Sequence, residues 1–308
     1  MLLYIIKRLL SVIGTMLLVS VVAFLFIHLI PGEPARLLAG EKAPQETVDR
    51  ITEKLGLNQP LPIQYFKWMG GILQGDFGES YRTGRPVTEE IFDSRYGNTV
   101  RLALVTLVWS TLVGLVIGVW AGTHAGKWQD YSSVTIAVAG QAVPSFWIGL
   151  MLIFFLGVKL KWLPISSMSG DWKSLIMPTI TMGGGLMATV ARYTRSAMLE
   201  TLREDYTRTA RAKGLAENTV VWKHAFRNSM ITVITIVGVS FGDLLGGSVL
   251  VEEVFAYPGI GKYLVDSINL RDYTAVQALI LLISAHYVII NLLVDVLYAV
   301  INPEIKYN

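Results

Sequence analysis

The feature that most constrains this chain is a stretch without a charged side chain, residues 9–27, which directly follows Lys7 and Arg8. Its 19 residues are close to the roughly 20 that an α-helix needs to cross the hydrocarbon core of a bilayer. The apolar part of a secretory signal peptide is shorter, about 7–15 residues, and precedes a small-residue cleavage site, which does not follow here. We therefore interpret residues 1–30 as an uncleaved N-terminal anchor span.

Further apolar runs of similar length follow at 100–122, 134–158, 174–191, 229–251 and 275–301. Hydrophobic residues make up 53% of the chain and charged residues only 16%, below the quarter that is usual in soluble domains, which argues against a soluble protein with a large core. Pro144 predicts a kink in the third span, and Gly183, Gly184 and Gly185 predict close approach of another helix to the fourth. The predicted fold class is an all-α membrane protein with six transmembrane helices.

Lysine and arginine counts orient these spans, because loops on the cytoplasmic side carry an excess of basic residues. With the N-terminus inside, the two short outer loops hold 5 basic residues, whereas 12 lie in the inner pieces 1–8, 123–133, 192–228 and 302–308. We therefore predict that both termini are cytoplasmic. The net charge of +3 follows from this topology and gives no reason to expect a nucleic-acid partner.

Residues 31–99 are interpreted as a small external helical insert between the anchor and a five-span core at 100–301, which ends in a cytoplasmic tail at 302–308. Val48, Ile51 and Leu55 recur at spacings of three and four before Gly56, a pattern that predicts a short amphipathic helix ended by glycine. The insert either packs on the outer mouth of the membrane domain or offers a docking surface to an external partner.

The longest inner loop, 192–228, interrupts the apolar chain with charged residues. Its first half, MLETLREDYTRTARAK, contains good helix formers without Gly or Pro, and Gly214 ends that run. ENTVVWKHAFRN then predicts a second short helix. The loop is either a solvated basic segment or a docking element, and the small residues Ala210 and Ala212 favour docking because they let a helix lie close to a partner surface.

This loop resembles the EAA loop of ABC-importer permeases, through which a membrane subunit engages a cytoplasmic ATPase. More closely, the whole chain resembles the dipeptide, oligopeptide and nickel class of these binding-protein-dependent permeases. The matching stretches, in chain order, are LIPGEPARLLAG at 29–40, LGLNQPLPIQYFKWM at 55–69, GDFGES at 75–80, RTARAKGL at 208–215, KHAFRNSM at 223–230, LLGGSVLVEEVFAYPGIG at 244–261 and INLLVDVLYAVINPEIKY at 290–307.

The resemblance implies a permease subunit in the bacterial inner (cytoplasmic) membrane that works with an external substrate-binding protein, two cytoplasmic ATPase subunits and a second related permease, most simply as a heterodimer. The implied ATPase-docking residues are Arg208, Thr209, Ala210, Arg211, Ala212, Lys213, Gly214, His224 and Arg227. Arg208, Thr209 and Ala210 stand where the general motif has Glu-Ala-Ala, and Phe226-Arg227 stands where it ends in Leu-Pro. The resemblance therefore does not specify which contacts Arg208 and Arg227 make. The implied substrates are peptides or glutathione; the alternatives within the class are nickel chelates and opines.

The chain itself lacks a phosphate-binding loop. Its nearest candidate, AYPGIGKY at 256–263, has Ala256 and Tyr263 where the Walker A motif requires Gly and Ser or Thr. We therefore expect a transport subunit that is not an enzyme and holds no cofactor, with ATP and Mg bound by its partners, and that works by alternating access. The alternatives from other classes are an ATP-independent channel or carrier, a scaffold protein, and an intramembrane protease using Ser248, which lacks a G-x-S-x-G context.

Polar residues inside the apolar runs are candidates for function, because a charge at the bilayer centre costs about 2.5–3.5 kcal/mol on insertion scales. The predicted translocation-pathway residues are Gln141, Asp243, Gly246 and Gly247, although a helix–helix hydrogen bond is an equal alternative for Asp243. Asp295 and Asn291 are interpreted as structural polar residues. His28 and His286 are expected to be packed or interfacial, and their isolation predicts no metal site.

Overall fold

In the computed structural model, residues 2–29, 34–40, 43–167 and 171–301 are described, and these ranges are helical apart from turns, loops and one isolated β-bridge between Glu79 and Pro86. They divide into two compact units, Met1–Thr99 with Pro258–Asn308, and Val100–Tyr257. The helices are α1 Leu2–Leu29, α2 Pro34–Ala39, α3 Gln45–Leu55, α4 Leu61–Leu73, α5 Val87–Glu90, α6 Tyr96–Thr123, α7 Trp128–Ala142, α8 Ser145–Leu152, α9 Trp172–Thr201, α10 Asp205–Ala212, α11 Glu217–Thr219, α12 Arg227–Val254, α13 Ile260–Asn269 and α14 Tyr273–Ile301.

Membrane-spanning candidates follow the apolar runs, with one difference. The described residues contain five helices long and apolar enough to cross a bilayer: Ile6–Phe26, Val87–Thr123, Trp172–Thr201, Glu217–Val254 and Tyr273–Val294. The third predicted span, 134–158, is instead a pair of helices, Trp128–Ala142 and Ser145–Lys159, bent by 99°. The predicted kink is therefore a full break: Val143 and Pro144 both have extended backbone, because the proline ring disfavours helical geometry in the residue before it.

The first unit is organised around α1 and α14, which pack side by side. The Gln277 carboxamide of α14 donates hydrogen bonds to the carbonyls of Ala23 and Phe24 at 3.1 and 3.2 Å, close to the end of α1. The predicted amphipathic helix is present as α3, and Gly56 ends it in the left-handed conformation, at φ 63°.

Helix α9 forms the centre of the second unit, where α6 approaches it along a seam of small residues. Gly114, Gly118 and Gly122 are spaced four apart on α6, and a Cβ at any of them would stand 2.5–2.7 Å from an atom of α9. Small residues let helix backbones approach closely, which favours association inside a membrane. Of the three glycines predicted to admit a neighbouring helix, Gly183 does so by packing on Ser110, whereas Gly184 and Gly185 face open space.

Candidate functional site

The segment that joins α9 to α12, residues 202–226, is a short helical hairpin that turns at Gly214. Gly214 has φ +76°, a left-handed backbone that glycine adopts without steric cost. The predicted glycine joint between two helical pieces is confirmed. The predicted continuous first helix is wrong, because α9 ends at Thr201 and α10 begins at Asp205. The second piece, α11 with the π-helical turn Val220–Phe226, continues into α12 without a break.

One face of the hairpin is buried by the rest of the chain. Thr207 is fully buried, and its hydroxyl donates to the carbonyls of Glu204 and Leu202 at 2.7 and 3.0 Å, which holds the start of α10 against the end of α9. A hydrophobic cluster formed by Val119, Met198, Val221 and Ala225 lies beneath the second piece. The hairpin is therefore fixed to the ends of α6 and α9.

The other face of the hairpin is exposed and carries most of the predicted docking residues. His224 is half-buried, and the exposed ones are Arg208, Thr209, Arg211, Ala212, Lys213, Gly214 and Arg227. Ala210 differs, since the chain's own residues bury it, so only Ala212 leaves its small side chain open to a partner. Exposed apolar residues that the sequence interpretation missed extend this face: Tyr206, Leu215 and Trp222.

Arg211 and Glu217 lock the hairpin turn. The guanidinium Nε and Nη2 donate to the two carboxylate oxygens at 3.0 and 2.8 Å, a bidentate pair across Gly214. The hydrogen bonds that Arg211 donates to this carboxylate raise the pKa of Arg211 above its ordinary value. Arg211 is therefore engaged within the hairpin. Arg208 makes only a single exposed contact with Asp205, at 3.3 Å, and the basic groups of Lys213 and Arg227 are also exposed on this face.

A polar groove of about 450 Å³ lies in the second unit, between the break that follows α7 and the helices α9 and α12. Three predicted pathway residues, Gln141, Asp243 and Gly247, line it, whereas Gly246 is exposed outside its lining. The Gln141 carboxamide donates to the Thr189 hydroxyl at 3.1 Å. The groove also contains polar residues that sequence interpretation missed: Ser145, Thr189, Arg192 and Ser240.

An ion pair that the sequence interpretation missed joins α7 to α9 in the same unit. The guanidinium of Arg195 donates through Nε and Nη2 to the two carboxylate oxygens of Asp130, the second contact at 2.8 Å. The Gly126 amide adds a bond to Asp130 at 3.0 Å, and the aspartate is buried. This arrangement fixes the start of α7 against α9, one helical turn after the groove residue Arg192.

The isolated histidines are packed, as expected. His28 Nε2 lies 3.2 Å from the Gln64 Oε1, and His286 Nε2 lies 2.8 Å from the Tyr96 hydroxyl. Within the described part of the chain, no group of three or more His, Asp or Glu residues is placed to hold a metal ion.

The structure describes the side chain of only one of the two predicted structural polar residues of the last span. Asn291 is half-buried on α14. The side chain of Asp295 and the tail 302–308 lie outside the described residues.

Comparison with known proteins adds a consistent set of relatives. The family described as binding-protein-dependent transport system inner membrane component matches residues 114–307, and its N-terminal counterpart matches residues 1–103. The chain is 47% identical over 307 residues to the glutathione transport system permease protein GsiC of Salmonella paratyphi A (strain ATCC 9150 / SARB42), Salmonella typhi and Escherichia coli (strain K12), with 100% of both chains covered in each case.

Proposed function

The chain belongs to the inner-membrane components of binding-protein-dependent transport systems, and we propose that it carries glutathione or similarly short peptides across the membrane. It is a permease subunit of an ABC importer, a multi-pass protein of the bacterial inner membrane that lacks an ATPase site of its own. Its relatives are named glutathione permeases, which directs the choice of solute.

The structural observation that supports glutathione or a short peptide as the solute is the charge pattern of the groove. Arg192 of α9 and Asp243 of α12 place a guanidinium and a carboxylate on the same groove, with amide and hydroxyl groups of Gln141, Thr189 and Ser240 beside them. A peptide such as glutathione carries carboxylates and an ammonium, which these two residues complement in turn. The groove's volume of about 450 Å³ lies within the usual range of small-molecule sites.

The hairpin 202–226 is the proposed contact for the cytoplasmic ATPase. Its buried face is fixed to α6 and α9, so a force on the exposed face moves the membrane helices rather than the hairpin alone. Arg208 and Lys213 supply charge on this face, while Ala212, Leu215 and Trp222 supply a surface for packing.

The remaining partners complete the proposal. Both termini and the hairpin lie in the cytoplasm, the insert 31–99 lies outside, and a second, related permease closes the other side of the pathway. Two ATPase subunits bind ATP and Mg, and an external binding protein delivers the solute. ATP binding closes the ATPase pair and opens the groove outward, because ATP binds the two states with different affinity.

Uptake by the reconstituted complex tests the proposal. We expect ATP-driven accumulation of radiolabelled glutathione in proteoliposomes, with a loss of about tenfold or more for Arg192→Gln or Asp243→Asn, since hydrogen bonds to charged groups contribute about 1.5–3 kcal/mol each. Lys127→Glu, on the exposed α6–α7 turn, is the matched control.

Two outcomes would contradict parts of the proposal. Transport of a nickel chelate but not of glutathione or a dipeptide would refute the solute. Uptake at the normal rate after Arg208→Glu together with Lys213→Glu would refute coupling through the outer face of the hairpin. Accumulation without ATP would instead favour a carrier.

A further inference from the structure

The first unit contains a second cavity, of about 420 Å³, where the end of α1 meets α4 and the beginning of α14. Phe24 lies in the last turns of α1, and Trp68 and Gln64 lie on α4. The cavity is therefore close to the end of a candidate membrane span, Ile6–Phe26, and is built largely from the insert.

The cavity has a fixed polar floor. Gln64 and Gln277 are 8% and 7% exposed. The Gln64 carboxamide donates to the carbonyls of Gln59 and Leu57 at 2.7 and 3.1 Å, and the Gln277 carboxamide is held by α1. A site whose amides are already oriented needs little ordering when a ligand arrives.

Aromatic side chains form the walls. The rings of Phe24 and Trp68 lie with centroids 5.8 Å apart, and Phe77 and Tyr81 line the cavity from the loop that follows α4. Burial raises the pKa of the Tyr81 hydroxyl, so this wall stays neutral at physiological pH. Aromatic faces attract cations as well as apolar groups.

The charged groups and the unpaired hydrogen-bond acceptors of the lining determine which kind of ligand this cavity prefers. Glu53 and Asp76 bring two carboxylates to the lining, against a single ammonium from Lys67. The Oε1 atom of Gln59 is buried and has no hydrogen-bond donor among the described residues. Asp76 uses Oδ1 to accept the Gly78 amide at 2.8 Å, which leaves Oδ2 for another donor. Glu53, Asp76 and Lys67 are exposed at the cavity, and the surplus of acceptors favours a ligand with N–H donors and a positive charge.

We propose that this cavity binds the primary ammonium group of a small zwitterion, with the ammonium between Glu53, Asp76 and the aromatic walls and the anionic group towards Lys67. Two molecules supply this chemistry: a free amino acid or short peptide, and the head group of an aminophospholipid such as phosphatidylethanolamine. The proposal does not depend on which solute the groove transports.

Photolabelling of the full chain, copurified with its partner subunits, tests the proposal. The complex is placed in nanodiscs of phosphatidylcholine, which has no primary amine, and exposed to a dipeptide of alanine and a diazirine-bearing leucine, or to its N-acetyl form. We expect the free dipeptide to label peptides within residues 53–81, and the N-acetyl form to label them about tenfold less, because acetylation removes the charge-assisted hydrogen bonds.

Variants locate the interaction. Glu53→Gln combined with Asp76→Asn keeps the shapes and the Oδ1 acceptor for Gly78, and we expect it to lower this labelling about tenfold. Glu46→Gln, an exposed carboxylate of α3 outside the cavity, is the matched control and should label as the parent does. Unchanged elution on size exclusion, unchanged helix content and unchanged copurification with the partner subunits show that the double variant is folded.

A second arm distinguishes the two sources. If photoreactive phosphatidylethanolamine labels the same residues and ordinary phosphatidylethanolamine suppresses the dipeptide signal, the occupant is the lipid head group; if phosphatidylethanolamine neither labels nor competes, it is the soluble zwitterion. The proposal is overturned if neither probe labels residues 53–81, if the N-acetyl dipeptide labels them equally, or if the double variant labels like the parent. The readout is labelling rather than transport, so a failed uptake experiment leaves it intact.

Discussion

Gly118 tests the close packing of α6 on α9. In the structure, a Cβ at Gly118 would stand 2.5 Å from the Thr194 Cβ and 2.6 Å from the Ala191 carbonyl oxygen. Ordinary contact begins at 3.4 Å, so the two helices would have to separate by nearly 1 Å. The second obstacle is backbone, and Thr194 is fully buried, so neither obstacle yields by a change of rotamer.

The expected magnitude follows from two opposing terms. Overfilling a packed site costs about 1–3 kcal/mol, whereas replacing glycine by alanine in a helix interior gains about 1 kcal/mol. Gly184→Ala, on the same helix as the two obstacles but with no atom within 4 Å of its Cβ, carries only the second term. We therefore expect Gly118→Ala to unfold with about 1–3 kcal/mol less free energy than Gly184→Ala.

Equilibrium unfolding in mixed micelles, followed by helix content, measures this difference. Because both variants are glycine-to-alanine changes inside helices, the propensity term cancels and the packing term is read directly. Equal free energies of unfolding, within about 0.5 kcal/mol, would show that α6 and α9 do not approach as closely as the structure has them.

Two further perturbations address the ion pair and the hairpin turn. Asp130→Asn should lower stability in detergent by about 1–3 kcal/mol, less than for a fully buried pair because Arg195 is partly exposed. Adding Arg195→Gln should restore part of the lost stability. Thermal melts that show no loss in the single variant, or no recovery in the double variant, would contradict the role of the pair. Gly214→Ala forces a side chain into the left-handed region at a cost of about 1–2 kcal/mol and should reduce stimulation of the partner ATPase by solute and binding protein. Gly75→Ala carries similar strain, at φ +83°, outside the hairpin, so an equal loss of ATPase stimulation in both variants would argue against a specific role for the turn.

The membrane helices can largely be predicted from the sequence, because a span must be long enough to cross the bilayer and must contain few charged residues. The break at Val143 and Pro144 was readable only as a kink, since proline determines where helical geometry fails and not the direction the chain takes afterwards. The end of α9 at Thr201 was not readable at all. No Gly or Pro stands there, and the chain turns because Thr207 bonds back to Leu202 and Glu204.

The groove was readable in part. Gln141 and Asp243 are polar residues within apolar runs, and that contrast was sufficient to find them. Arg192 follows its run by one residue and was therefore assigned to the loop. Side chains of a helix point back towards its N-terminus, so a long arginine just past the apolar run reaches back alongside it and lines the groove.

The two candidate sites lie on the same pair of helices, and this connects them mechanically. Arg192 and Thr201 are both in α9, so the groove residue lies about 14 Å along the helix from the start of the hairpin. Asp243 lies sixteen residues into α12, about 24 Å from Arg227, where that helix begins. A displacement of the hairpin would therefore be transmitted through α9 and α12, which pack against each other. Arg192 and Asp243 lie at different distances from the hairpin along these helices. The separation of Arg192 and Asp243 changes only if α9 and α12 move relative to each other, so the proposed release of solute requires the hairpin to displace the two helices by different amounts.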